Sequence, residues 1–218
     1  MGGYMKENLD AVLFDFDGTL VQIDIDFKQM RQGIINLGQE YGIIPETGLY
    51  VLESLEYIFT GLLEKDPKLA REFRQRAENL IIDIEVKASA KATAMPGVEN
   101  TLRELNNKGI KIGIVTRNCR AGVLKSTQVA DLVYDILLTR DDVLQVKPHP
   151  GHLTDALNLM KSRAEEAIMV GNHAMDIIAG KRAKMKTAAV LTTHSEDDFM
   201  EVQPDYIMPG IPGLLDIL

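Results

Sequence analysis

The chain has 218 residues, 45% of them hydrophobic and 26% charged, with a formal net charge of −8. That length and composition suit one domain, or one domain carrying a smaller insert, and exclude disordered and fibrous classes. The acidic balance argues against nucleic acid or an anionic membrane as partner through bulk electrostatics, so an anionic ligand needs a local cluster of cations. In chain order, Ala11 to Phe16 is a short apolar run, which predicts a buried strand ending in a turn at Gly18. From about Phe27 to Lys87 the spacing is helical throughout: Phe27, Met30, Ile34, Leu37 and Tyr41, then Leu52, Leu55, Phe59 and Leu62, then Leu69, Phe73, Ala77, Leu80 and Ile84. Breaks at Gly42–Pro45 and Asp66-Pro67 divide this block into three or four helices.

From Pro96 the pattern alternates. A helix over about Val98–Asn107 is closed by Lys108-Gly109 and followed by a strand over Lys111–Thr116. A helix near Ala121–Val129, a strand near Tyr134–Leu138, a helix over His152–Lys161, a strand over Ala167–Gly171 and a helix over Met175–Ala183 come next. A strand over Thr187–Leu191, a short strand near Tyr206 and a helix after Gly213 complete the chain. Alternation of this kind predicts a parallel sheet covered on both faces, with chemistry at the C-terminal ends of its strands.

Four of those ends carry polar residues. The first has Asp15 and Asp17 around Phe16, with Gly18 and Thr19 following; two carboxylates so close repel unless a cation separates them. The second has Thr116, Arg117 and Asn118, where the Thr116 hydroxyl suits either a phosphate oxygen or a helix cap. The third is Lys147 before Pro148, which reads as a counter-charge or as a solvated loop lysine. The fourth is Asn172 with Asp176, a polar pair or the start of a helix. Each alone is a weak signal; the four in order, each at an expected strand end, form a strong one.

Residues Val12 to Leu20, Pro96 to Thr116, Lys147 to Pro150, Gly171 to Ile177 and Gln203 to Tyr206 resemble, in order, the motifs of the haloacid dehalogenase superfamily. The likeness is to its phosphoglycolate-phosphatase-like branch. The resemblance implies an α/β, Rossmann-like three-layer core with a parallel sheet, formed by residues 1–20 and 95–218, and a helical cap, residues 21–94, inserted after the first strand. It implies a phosphatase acting on small phosphomonoesters, with Asp15 as nucleophile, Asp17 as acid and base, and Lys147 as counter-charge. Gly18, Thr116 and Lys147 would hold the phosphoryl group; Arg117, next to Thr116, reads as a further phosphate contact or as a surface residue. Mg²⁺ would bind Asp15, the Asp17 backbone carbonyl, Asn172 and Asp176, an all-oxygen set that suits this ion. Asp17 sets the chain apart from the dehalogenases and the transport ATPases, which the resemblance implies carry other residues there.

One position departs from the family. Aspartate normally follows the glycine of the fourth motif, and this chain has Asn172. An amide oxygen can still ligate, but a negative charge is lost, so weaker magnesium binding is expected. Two other readings stand beside the phosphatase: a phosphomutase of the same superfamily, and a non-catalytic binding protein that keeps the fold. Arg31 reads as an exposed helix residue or a substrate contact, and His173 as a neighbour of the metal position. Cys119, the single cysteine, reads as a packed small residue. The apolar runs are too short to cross a membrane and no secretory signal is evident, so the cytoplasm is the expected location. The expected partner is a small phosphorylated metabolite, with no nucleic acid and no membrane, for a monomer or homodimer.

Overall fold

In a computed structural model of the protein, residues 9–128 and 130–218 are described. The N-terminal residues in which no secretory signal is evident and Val129, the last residue of an expected helix, lie outside them. The first half of the chain contains β1 (Ala11–Phe14), β2 (Val21–Gln22), α1 (Phe27–Glu40), α2 (Val51–Leu63), α3 (Pro67–Ser89), β3 (Thr93–Ala94) and α4 (Val98–Asn107). The second contains β4 (Lys111–Val115), α5 (Arg120–Thr127), β5 (Ile136–Leu138), α6 (Gly151–Met160), β6 (Ala167–Gly171), α7 (Ala174–Arg182), β7 (Lys186–Val190) and β8 (Tyr206–Met208). Two compact units result: Lys91–Leu218 with the N-terminal segment ending at Ile23, and Asp24–Ala90.

The first unit is built on a six-stranded sheet in the order β5-β4-β1-β6-β7-β8, parallel throughout. Strand β1 lies inside it, and none of its four residues is exposed. Val12 and Phe14 point to one face, with Ile112, Ile114, Ile168 and Val170, beneath Val98, Leu102 and Leu105 of α4. Ala11 and Leu13 point to the other, with Met169 and with Leu153, Ala156 and Leu157 of α6. A strand buried on both faces has no polar side, which is why β1 reads as an unbroken apolar run.

The strand stops two residues earlier than its apolar run suggests. Asp15 N still donates to Val170 O at 2.9 Å, but Phe16 O then collects Leu20 N at 2.9 Å and Val21 N at 3.1 Å, curling the chain into a loop. Gly18 closes that loop at φ 77°, a conformation that favours glycine. A two-stranded antiparallel ribbon, Val21 opposite Ala94, follows it; two residues per strand are too few to show a period. The helix expected after Gly213 is instead a 3₁₀ segment, Ile211–Asp216. Pro212 and Gly213 stand within its six residues, and both disfavour a continuing α-helix.

The second unit holds three helices, the lower of the two counts the breaks allowed. Met30, Ile34 and Leu37 of α1, Leu55, Ile58 and Leu62 of α2, and Ala70, Phe73, Ala77 and Ile81 of α3 are buried. Phe27 and Leu69, counted into the same stripes by spacing, are 61% and 41% exposed; periodicity identifies a face but not how far along it a neighbour reaches. Asp26 and Asp66 cap α1 and α3, accepting from Gln29 N and Lys68 N at 2.8 Å. Arg31 is neither free on the surface nor extended: its guanidinium donates to Leu49 O within the same unit. No described helix is long and apolar enough to cross a membrane.

Candidate active site

Parallel strands bring their C-terminal ends to one edge of the sheet. Asp15 stands just past β1, Thr116 just past β4 and Asn172 just past β6, three adjacent strands of that sheet. Lys147 enters from the connection between β5 and α6, before a cis peptide to Pro148. The polar residues expected at four strand ends are thus brought together, although Lys147 lies well past Leu138, the last residue of β5.

Lys147 is the centre of the cluster. Its side chain is 1% exposed, and its Nζ donates to Asp15 Oδ1 and to Asp176 Oδ1, both at 2.7 Å. Burial pulls the ammonium toward the neutral form, but the two carboxylates outweigh it and hold the pKa above the ordinary lysine value. Burial pushes the Asp176 carboxyl up to about 6 against the attraction of Lys147. Asp176 uses its second oxygen too: Oδ2 accepts from His173 N at 3.0 Å. This bond closes a capping box at the start of α7, in which His173 Nδ1 accepts from Met175 N at 3.1 Å. A Cβ at Gly171 would overlap the Asp176 carboxylate, so the glycine leaves the carboxylate its place.

The side chains of the two aspartates of the first motif face different donors. Asp15 faces Lys147, whereas half-buried Asp17 accepts from Asn118 Nδ2 at 3.0 Å and from Thr116 Oγ1 at 3.3 Å. Separate donors relieve the expected repulsion. Thr116, expected on a phosphoryl oxygen, has its hydroxyl on Asp17 and accepts from Asn118 N at 3.0 Å. Arg117, also expected on the phosphoryl group, donates from Nη1 to Lys147 O at 2.9 Å and lies against Met175 Sδ, bracing the lysine from behind.

Asn172 sits between Asp15 and the β7–β8 connection. One terminus of its amide lies 3.2 Å from Asp15 Oδ2, 3.2 Å from Asp17 O and 3.0 Å from Thr19 Oγ1. The other lies 2.6 Å from Thr193 Oγ1. Gly18, beneath it, has no room for a Cβ against the Asn172 side chain.

Several partners carried no signal that reading the residues had isolated. Thr19 Oγ1 donates to Asp15 Oδ2 at 3.2 Å, Asn118 holds Asp17, and Thr193 holds Asn172. His152 Nδ1 accepts from Lys147 N at 3.4 Å, and burial, then the Lys147 charge, drives its pKa down to about 3. Thr19, beside the aspartates of the first motif, and Asn118, two residues after Thr116, could have been singled out by position.

Among the described residues no group of three or more His, Cys, Asp and Glu side chains could hold a metal ion. Asp176, expected as a ligand, has both oxygens bound to Lys147 and His173 N. What converges instead is smaller: Asp15 Oδ2 and Asp17 O around a single amide terminus. These are hard oxygen donors, and with the Asn172 oxygen they fit a divalent ion that keeps several of its waters.

A family model described as haloacid dehalogenase-like hydrolase matches residues 12–190. A pyrophosphatase PpaX of Bacillus cereus is 32% identical over 219 residues, covering 96% of this chain and 96% of that protein. Among solved structures, a hydrolase from Pseudomonas syringae aligns with a TM-score of 0.71 at 19% identity, covering 95% of this chain and 96% of its own. A β-phosphoglucomutase from Clostridium difficile aligns with a TM-score of 0.67 at 18% identity, covering 94% and 93%. At these identities the structural likenesses speak to the fold alone.

Proposed function

The chain belongs to the haloacid dehalogenase-like hydrolases, and from that premise we propose that it removes phosphoryl groups from small metabolites through a covalent intermediate on Asp15. The observation that carries the reading is the buried Asp15–Lys147–Asp176 triad at the strand ends, with both contacts at 2.7 Å. A buried ion triad is weak as a stabiliser, because desolvation offsets most of its attraction. Its presence is better explained by work done there.

In this reading an Asp15 carboxylate oxygen attacks phosphorus. An O–P bond forms on Asp15, the bond to the leaving oxygen breaks, and Asp17 delivers a proton to that oxygen. Water then attacks the same phosphorus, Asp17 takes its proton, and the Asp15 carboxylate is regenerated with release of phosphate. Lys147 offsets charge on Asp15 and on the transferred group; Asp176, His152 and the Arg117 guanidinium keep Lys147 in place. Asn118 and Thr116 hold the Asp17 side chain in position, so that the carboxyl which gave its proton to the leaving oxygen is in place, ionised, to take one from the water. Phosphoryl transfer depends largely on such positioning and charge stabilisation. Mg²⁺, held by Asp15, Asp17 O and Asn172, supplies further charge neutralisation when bound. The helical unit, Asp24–Ala90, takes the part of the cap that selects the substrate, and the expected setting is the cytoplasm.

The relatives named pyrophosphatase make pyrophosphate the first substrate to try, alongside phosphoglycolate and sugar phosphates. The test is phosphate release from such a panel with and without Mg²⁺, with Asp15→Asn as the control. Magnesium-dependent release that Asp15→Asn abolishes is expected. Equal rates in the two proteins would favour a binding protein, and isomerisation of a sugar phosphate without release would favour a mutase.

A further inference from the structure

We propose that the Asn172 amide is an internal stand-in for the divalent cation, and that it turns over when the cation binds. The inference rests on the reading above in which Asp15 and Asp17 O take such an ion. An amide has one end that donates and one that accepts, and their placement follows from what each end faces. The inner terminus faces Asp15 Oδ2 and Asp17 O, both at 3.2 Å and both acceptors. Nitrogen belongs there: its two hydrogens can serve the two oxygens. The outer oxygen then accepts from Thr193 Oγ1 at 2.6 Å. In this arrangement both oxygens of Asp15 have donors from the chain itself, Lys147 on Oδ1 and Thr19 with Asn172 on Oδ2.

A cation bound by Asp15 Oδ2 and Asp17 O cannot share that position with an N–H₂ group. A half-turn about the Asn172 Cβ–Cγ bond brings the oxygen inward as a ligand and sends the nitrogen outward. Thr193 is suited to both arrangements. With the nitrogen outward its hydroxyl accepts at 2.6 Å and can direct its own proton to His194 Nδ1, 2.9 Å away. An aspartate at this position would ligate more strongly, but without the cation it would set a second carboxylate against Asp15 Oδ2. Asparagine therefore gives a site whose polar groups are satisfied with or without the ion, at lower ion affinity.

The test compares the wild type with Asn172→Asp by calorimetric Mg²⁺ titration and by thermal melting in chelator, and follows the Asn172 side-chain amide of the wild type by ¹⁵N NMR. Asn172→Asp is expected to bind Mg²⁺ about tenfold tighter or more and to melt about 4 °C or more lower in chelator. The wild-type amide pair is expected to move from a carboxylate-bonded to a hydroxyl-bonded signal as Mg²⁺ saturates. Should the variant melt with the wild type in chelator, or bind Mg²⁺ no more tightly, the stand-in is wrong. Should Asn172→Asp fail to fold, the wild-type spectrum alone decides: Mg²⁺ uptake with an unmoved amide overturns the inference and leaves the proposed chemistry intact. Failure of the wild type to take up Mg²⁺ overturns both the cation site and the inference. The nucleophile is judged separately, by the Asp15→Asn control.

Discussion

Lys147 meets Asp15 and Asp176 at 2.7 Å in the sheet unit; in the helical unit Arg76 meets Glu40 at 2.8 Å and Arg74 meets Glu56 at 2.7 Å. The contact lengths match, but the surroundings do not. The Lys147 and Asp176 side chains are 1% and 3% exposed, whereas those of the helical pairs range from 32% to 57%. Water screens the second set, so its pairs contribute little. The first set is largely shielded, with the Asp15 side chain 13% exposed, so each charge there depends on its neighbours, and breaking one contact leaves the others stranded. The difference separates charges that solvent can stabilise from charges that only their protein partners can.

Removing the central charge breaks the contrast most sharply. Lys147→Met leaves Asp15 and Asp176 buried without their cation, and should lower stability by about 3–5 kcal/mol, read from urea unfolding in chelator. A loss under about 1 kcal/mol would put Lys147 among the surface ions.

An effect smaller over any single pH unit comes from His152, which abuts the Lys147 backbone. Its folded pKa of about 3 lies below the ordinary 6.5. The unfolded chain therefore binds the proton first as pH falls, and the folded state loses stability from pH 6.5 down toward 3. Relative to His152→Gln, the wild type should weaken by up to about 1.4 kcal/mol per pH unit across that window. Comparing the two proteins cancels the opposing contribution of Asp176, whose raised pKa favours the fold as pH falls toward the carboxylate range. Parallel unfolding midpoints at neutral and acid pH would show that His152 is not held neutral by burial.

The smallest effect belongs to the helical unit. Glu40→Gln removes the carboxylate that Arg76 meets and leaves its bond to the Tyr41 hydroxyl, and the melting temperature should stay within about 1 °C of the wild type. A larger drop would erase the distinction between the two units.

The elements that build the sheet were legible because burial on both faces demands residues of one kind: Ala11–Phe14 and Ala167–Gly171 stand out as apolar runs for that reason. The ends of those strands were legible for the opposite reason, since Asp15 and Asn172 interrupt what should stay apolar. Lys147 was ambiguous, because a loop lysine and a fully buried one look alike until the fold supplies two carboxylates. Asn118 and Thr193 were harder still to assign a role. They act on Asp17 and Asn172 across 101 and 21 residues of chain, through single hydrogen bonds that leave no local pattern. The two-residue strands β2 and β3 likewise carry too little chain to show alternation. In the fourth motif, the polar residues that opened α7 were read as ligands or caps in general; the structure divides the work, with His173 and Asp176 forming the cap and Asp176 also holding Lys147.

The central claim is that Asp15 carries the phosphoryl group between its two transfers. Mixing the enzyme with pyrophosphate and Mg²⁺, quenching within a turnover, and reducing with borohydride converts an acyl phosphate into an alcohol that peptide mass spectrometry can locate. The reduced side chain should be found at residue 15 and be missing from Asp15→Asn. Reduction at another residue, or phosphate release with no residue reduced, would contradict the account.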